Sequence, residues 1–220
     1  MPRMKLLSCS IICLLLSACD AGKEQDRFDV LIVGGTIYDG SMQPPRETNI
    51  AIAGDRIVTM DAGADAEANL VIDAAGLVVV PGFIDPHTHA EADIFDVPGN
   101  LNSNYLAQGV TTVFVGNDGR GIPDRAAMLE KMIAQGVGTN VGFFAGHGTV
   151  RSAAMGLDNR APSAGELDQM RAMGAEEMNA GALGLSTGLF YSPGSFADTE
   201  EVIELAKLAA EYGGVYDSHL

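Results

Sequence analysis

The four histidines of the 220-residue chain are His87, His89, His147 and His219. His87 and His89 stand two apart at the end of Val80-Pro-Gly-Phe-Ile-Asp-Pro-His-Thr-His89. In extended backbone, residues i and i+2 point to the same side. Two imidazoles so placed can share one divalent cation, with zinc the expected metal. An apolar strand and a Pro-Gly turn lead into the pair, which sets it apart from two histidines on an arbitrary surface loop. The cysteines narrow the remaining donor chemistry. Cys9, Cys13 and Cys19 all fall within the first twenty residues. Beyond them no thiolate is available, so a metal site there must use His, Asp, Glu or water.

That first stretch has the pattern of an address. Arg3 and Lys5 precede an 11-residue, mostly apolar run, Leu6 to Leu16. A bilayer span takes about 20 such residues, whereas a signal-peptide core takes roughly this many. Leu16-Ser17-Ala18-Cys19 resembles a bacterial lipobox, which implies cleavage before Cys19 and lipidation of its thiol and new amino group. Residues 1–18 are then the signal peptide, and residues 19–27 a polar tether. Asp20, directly after the cysteine, resembles the residue that retains lipoproteins at the inner membrane. The expected location is the bacterial cell envelope, lipid-anchored at the periplasmic face of the inner membrane. The chain has 13 Lys and Arg against 29 Asp and Glu, a formal charge of −16. Loss of Arg3 and Lys5 makes it more acidic still. Attachment to the membrane must therefore come from acyl chains and not from attraction to anionic lipid. The same balance argues against a nucleic-acid partner.

The elements that position the histidines have two textures. Residues 28–76 show short strands and turns. Asp29 to Val33 is an apolar run ended by Gly34-Gly35, Asn49 to Ala53 alternates, Arg56 to Val58 follows a Gly54-Asp55 turn, and Leu70 and Ile72 alternate again. A small β-sheet is expected there. Residues 77–220 alternate strand and helix. Strands are expected at Leu77–Phe83, Thr111–Val115, Asn140–Ala145, Ala182–Thr187 and from Val215 to Ser218. A helix opens at Pro123 with Leu129, Met132 and Ile133 inward. Ser163 and Glu166 form a capping box for the next. Asp198 caps a third, with Val202, Leu205, Leu208 and Ala209 inward. Repeated βα units imply an α/β fold with a parallel sheet, closed as a barrel or open and doubly wound. The His pair then lies at the C-terminal end of the first βα strand, the face on which barrels build their sites.

Taken together, these segments resemble the amidohydrolase superfamily. Its first barrel strand carries Pro-Gly-x-x-Asp-x-His-x-His, matched by residues 81–89. Further segments resemble the N-acyl-D-amino-acid deacylases, or D-aminoacylases. They are Gln108-Gly-Val-Thr-Thr112 with Val115-Gly-Asn117, Gly146-His-Gly-Thr-Val-Arg151, Gly184 to Gly194, and Gly213 to His219. The resemblance implies a (β/α)8 TIM-like barrel preceded by part of a small β-sandwich, and a centre of one or two divalent metal ions. It implies hydrolysis of the amide bond of small-molecule N-acyl-D-amino acids or related linear amides. His87, His89 and His219 match its metal-ligand positions. Tyr191 matches a tyrosine suited to polarising the scissile carbonyl. Asp118 stands in Asn117-Asp118-Gly119, where these deacylases usually have a cysteine ligand; its oxygen can still bind a cation, or it can be a solvated turn residue.

Hydantoinases and dihydroorotases bridge two metals with a carboxylated lysine after the fourth strand. This chain has no lysine between Lys131 and Lys207, which weighs against a cyclic-amide amidohydrolase. A non-catalytic, truncated lipoprotein is the other alternative. His147 and Arg151 are candidates for substrate contact or for ordering their own loop, Arg151 by pairing with an acid. Five strands are counted to Leu220, whereas a complete barrel takes about 250 residues. The resemblance places a further histidine ligand and an aspartate base beyond Leu220, so the chain is expected to be the N-terminal part of a longer enzyme. Lipidation at Cys19 predicts that Cys19→Ser abolishes fatty-acid incorporation in metabolic labelling. Label retained in the variant would exclude Cys19 as the lipid site.

Overall fold

The computed structural model describes residues 27–122 and 125–219. The leader, Cys19 and Pro123 lie outside the described residues. The chain divides into two compact units, Met1–Pro81 and Gly82–Leu220.

In the first unit, β1 (Phe28–Ile37) pairs antiparallel with β2 (Arg46–Ala53), which pairs antiparallel with β3 (Arg56–Thr59). The other edge of β1 is shared. Its first half pairs in parallel with β4 (Ala68–Asp73), and Thr36–Ile37 pair with β5 (Val78–Val79). Gly34-Gly35 does not end the strand as expected. The β1–β2 register shifts between Ile32 and Gly35, and Gly34 takes a φ of 69°, so the chain passes through an irregularity and continues. Leu31, Ala51 and Ala68 form the core, with Phe28 and Val33 packed against them. Among the described residues this is one sheet of the expected sandwich. Because β5 belongs to it, the unit runs to Pro81 and not to residue 76, and the single strand expected over Leu77–Phe83 is two.

The second unit is a parallel α/β arc. Its strands are β6 (Phe83–Asp85), β7 (Val110–Val115), β8 (Asn140–Phe143), β9 (Ala145–Gly146), β10 (Gly184–Gly188) and β11 (Val215–His219). Two three-stranded sheets result, in the orders β6-β7-β8 and β9-β10-β11, all parallel. Only Phe144 separates β8 from β9. Its amide donates to Val115 O at 3.0 Å, and Leu183 N donates to Phe143 O at 2.8 Å. These bonds join the sheets through one strand position, so six segments make five positions of a barrel. The helices between them are α1 (Glu91–Ile94), α2 (Ser103–Leu106), α3 (Arg125–Gln135), α4 (His147–Met155), α5 (Ala164–Asn179) and α6 (Thr199–Glu211).

Local chemistry explains the helix starts. Ser163 and Glu166 form the capping box of α5: Glu166 N donates to Ser163 Oγ at 3.3 Å and Ser163 N to Glu166 Oε2 at 2.7 Å. Arg160 also forks both Glu166 oxygens at 2.7 Å. The Arg160 hydrogen bond, and then those from Ser163, hold the Glu166 carboxyl well below the usual carboxylate range. Its contribution is therefore present above the ordinary glutamate pKa and is lost as pH falls through the depressed folded value. Asp198 caps α6, accepting from Glu201 N at 2.8 Å. Leu205, Leu208 and Ala209 are buried as expected, whereas Val202 is half-buried. In α3 the buried side chains are Met128 and Met132, four residues apart on one stripe. Leu129 and Ile133 lie on the exposed side, Ile133 at 82%, so the expected inward face is displaced by one position. Met155, Met170 and Met178 add to this methionine-rich core.

A buried polar clasp joins α4 to α6. His147, Arg151 and Glu201 have fully buried side chains. Glu201 Oε1 hydrogen-bonds His147 Nε2 at 2.7 Å and lies 3.1 Å from Arg151 Nε. Arg151 also donates to Arg160 O at 2.7 Å and Asp158 O at 3.2 Å, tying down the loop before α5. Removing one partner from a buried charged pair leaves the other uncompensated, at a cost of about 3–5 kcal/mol. Glu201→Ala is therefore predicted to lower unfolding free energy by about that much in chemical denaturation. A loss below about 1 kcal/mol, the range of exposed pairs, would show the clasp to be dispensable.

Candidate metal centre

Because the strands are parallel, their C-terminal ends share one rim, and every site candidate in the second unit lies at or beyond such an end. His87 and His89 lie just beyond β6. Between them Thr88 turns the other way and is buried; its amide and Oγ1 both donate to Phe114 O, at 3.1 and 2.7 Å. That anchor sends both imidazoles to the opposite, open side. Their rings meet edge to face with centroids 5.9 Å apart.

Asp118 follows β7. Its φ of 57° is left-handed, a conformation that Asp tolerates better than most residues. Neighbours impose it. Ser186 on β10 donates to Gly116 O at 2.6 Å and accepts from Gly119 N at 3.1 Å, bracketing Asp118. Asn117 Nδ2 donates to Thr88 O at 2.9 Å, linking the Asp118 loop to the segment that carries the histidines. Asp118 is thus a buried, fixed carboxylate and not a solvated turn residue.

His87 Nε2 lies 3.3 Å from Asp118 Oδ1, and His89 Nε2 lies 3.2 Å from Asp118 Oδ2. One donor atom from each of the three residues falls within 4.8 Å of the others. Asp118 Oδ1 is buried yet makes no aligned hydrogen bond. The outer nitrogens are occupied: His87 Nδ1 pairs with Asp217 Oδ1 at 3.4 Å and His89 Nδ1 with Glu91 Oε1 at 3.3 Å. Carboxylates behind imidazoles orient metal-binding histidines and raise their basicity. His219, the last residue of β11, places Nδ1 3.5 Å from Asp118 Oδ1. Two or three imidazoles with one carboxylate are a donor set suited to zinc and its first-row neighbours.

Tyr191 lies in the loop after β10, its ring centroid 5.2 Å from that of His219. A cleft of about 330 Å³ runs from Asp118 past Arg120, Thr149 and Ser152 to Tyr191. The structure thus brings His87, His89, Asp118, His219 and Tyr191 to one rim. It takes His147 and Arg151 away from that rim, into the α4–α6 clasp. Sequence reasoning did not single out Glu91, Asp217, Asn117 or Ser186. The only local signals were Glu91 two residues after His89 and Asp217 two before His219, hence on the same face of β11.

The amidohydrolase family profile matches residues 70–214. D-aminoacylase from Alcaligenes xylosoxydans xylosoxydans is 36% identical over 216 residues, which cover 88% of this chain and 44% of that protein. Among solved structures, N-acyl-D-glutamate deacylase from Bordetella bronchiseptica, complexed with zinc and a phosphonate mimic of the tetrahedral intermediate, superposes with a TM-score of 0.80 at 34% identity. That match covers 89% of this chain and 45% of the other. A D-aminoacylase with a binuclear metal centre superposes with a TM-score of 0.77 at 34% identity, over 86% of this chain and 44% of that one. The chain therefore spans less than half the length of these relatives, and within that span it is an α/β part-barrel that belongs to the amidohydrolase family.

Proposed function

We propose that this chain carries metal-binding residues of a deacylase that hydrolyses the amide bond of N-acyl-D-amino acids or related linear amides. The observation that carries the reading is the convergence of His87, His89 and Asp118, with a carboxylate behind each imidazole. His87 Nε2, His89 Nε2 and an Asp118 oxygen would hold a divalent cation, zinc first, and His219 is placed to join them or to hold a second. Bound there, the cation would supply Lewis acidity toward the scissile carbonyl and a lowered pKa for attacking water. Tyr191 lies beside His219, where its phenol can donate a hydrogen bond to the oxyanion that develops on the carbonyl. Asp118 and Asp217 carry the negative charge that offsets the cation. The reading extends to the envelope: a lipid anchor at Cys19 would hold the enzyme on the membrane with its substrates as small molecules in the periplasm. Support comes from the related deacylases and from the absence of a lysine between Lys131 and Lys207 that could bridge two metals.

Two sets of variants test this through bound metal and activity. His87→Ala and His89→Ala should lower bound zinc, measured by elemental analysis of purified protein, together with hydrolysis of an N-acetyl-D-amino acid. Asp217→Asn should weaken zinc affinity about 10- to 100-fold, the usual cost of losing the carboxylate behind a ligating imidazole. Unchanged zinc stoichiometry and affinity in all three would remove the site. Asp118 separates ligand from turn residue. Asp118→Asn keeps the shape and suits the left-handed turn, so near-normal zinc binding would show that the β7 loop supplies no ligand. As a ligand, Asp118 should admit manganese or cobalt, and Asp118→Cys should shift preference toward zinc, because thiolate is the softer donor.

A further inference from the structure

We propose that Arg120 is the specificity residue of this site, and that it recognises a carboxylate of the substrate in the cleft beside Asp118. The proposal rests on the deacylase reading above and names a recognition group within it. The chain is strongly acidic, with 29 Asp and Glu against 13 Lys and Arg. In such a protein a guanidinium without a partner is unexpected. Among the described residues, each other Lys or Arg is near a carboxylate or donates to a carbonyl: Arg27 to Ala68 O, for example, Arg125 to Glu177, and Lys131 to Asp96. The side chain of Arg120 has neither. Its guanidinium carbon lies 5.4 Å from the Tyr191 ring centroid, and among the described residues no carboxylate or carbonyl engages its guanidinium N–H groups.

Position adds to this. Arg120 follows Asp118 by two residues on the loop pinned by Ser186, and it lines the same cleft as Asp118 and Tyr191. A cleft of about 330 Å³ is at the small-molecule end of ligand-pocket sizes. Thr149 and Ser152 line it too, and Thr149 lies in the first turn of α4, the end of a helix dipole that favours an anion. Stacking on an aromatic face pre-organises a guanidinium without using its N–H groups, leaving its fork free for bidentate pairing with a carboxylate. A neutral amide in the same place could not pair with it in that way.

Two carboxylates could be the one recognised, the α-carboxylate of the amino acid or a second one on its side chain. Non-hydrolysable sulfonamides distinguish them. Binding to the zinc-loaded, full-length protein is measured by calorimetry for N-methanesulfonyl-D-alanine against its carboxamide, and for N-methanesulfonyl-D-glutamate against the glutamine analogue. The wild type should prefer the acid in one pair by about 10- to 100-fold, the range for a hydrogen bond to a charged group. The pair that shows it identifies the carboxylate. Arg120→Gln should erase that preference while amide binding persists, and Arg120→Lys should retain part of it. No preference in either wild-type pair would overturn the proposal. So would a preference that survives Arg120→Gln, or an equal loss of acid and amide binding, which would make Arg120 a prop for Tyr191. Zinc stoichiometry and hydrolysis of N-acetyl-D-amino acids, measured on the same wild-type preparation, report separately on the deacylase reading.

Discussion

The Ser186 hydroxyl holds the rim together. It donates to Gly116 O at 2.6 Å and accepts from Gly119 N at 3.1 Å, and so clamps both ends of the four-residue segment that contains Asn117 and Asp118. From that segment Asn117 reaches Thr88, which aims the two histidines, and Asp118 faces their Nε2 atoms. One hydroxyl on β10 thus coordinates the ends of β6 and β7. The surroundings are dry: Ser186 and Asn117 are fully buried, so neither could exchange these bonds for water without cost. These buried hydrogen bonds make one arrangement of the loop the favoured one.

Charge follows the same economy of placement. Three carboxylates surround two imidazoles: Asp118 faces the inner nitrogens, and Asp217 and Glu91 take the outer ones. The inner carboxylate is buried and the imidazoles are exposed. Negative charge therefore concentrates at a point reachable from solvent, which favours a cation there. Away from the rim, the same residue types build structure. Glu201 is enclosed by His147 and Arg151, and with no solvent to screen it the pair acts as a fastener between helices.

How much of this was legible in the sequence depended on the distance between partners. The His-x-His pair, the Ser163 capping box and the Asp198 cap are contacts within a few residues, and the chain shows each of them directly. The order of βα units was readable because each strand is a short apolar run bounded by turns. The partner of His87 is 130 residues away, and that of His147 is 54 away. No local pattern ties Asp217 to His87 or Glu201 to His147 among 29 acids. For the same reason His147 looked like a rim residue: it follows β9 as the site residues follow their strands, but it opens α4 and turns inward to meet α6. The inward face of α3 was misplaced because Met128 was passed over for Leu129 and Ile133. Only tertiary packing distinguishes which apolar stripe faces the sheet. The boundary between the units shifted from residue 76 to Pro81 because β5 is two residues long, and a pair of valines can join either neighbour.

The glycines of the rim set how this scaffold can vary. A Cβ at Gly146 would collide with the Gly121 backbone nitrogen, and one at Gly188 with the Asp118 carbonyl oxygen. The loops after β7, β9 and β10 therefore touch main chain to main chain, with no room for side chains between them. Substitution at those contacts would displace the rim, whereas Arg120 is exposed and can change type without moving it, and Asp118 can exchange most readily with Asn, which tolerates the same left-handed backbone. Divergence in such a protein is channelled: the architecture resists drift, and novelty enters through a few side chains on an invariant backbone. A lineage could thus change the side chain at 120 in a single step while inheriting the same folded loop, whereas the left-handed backbone at 118 narrows the residues it can accept there.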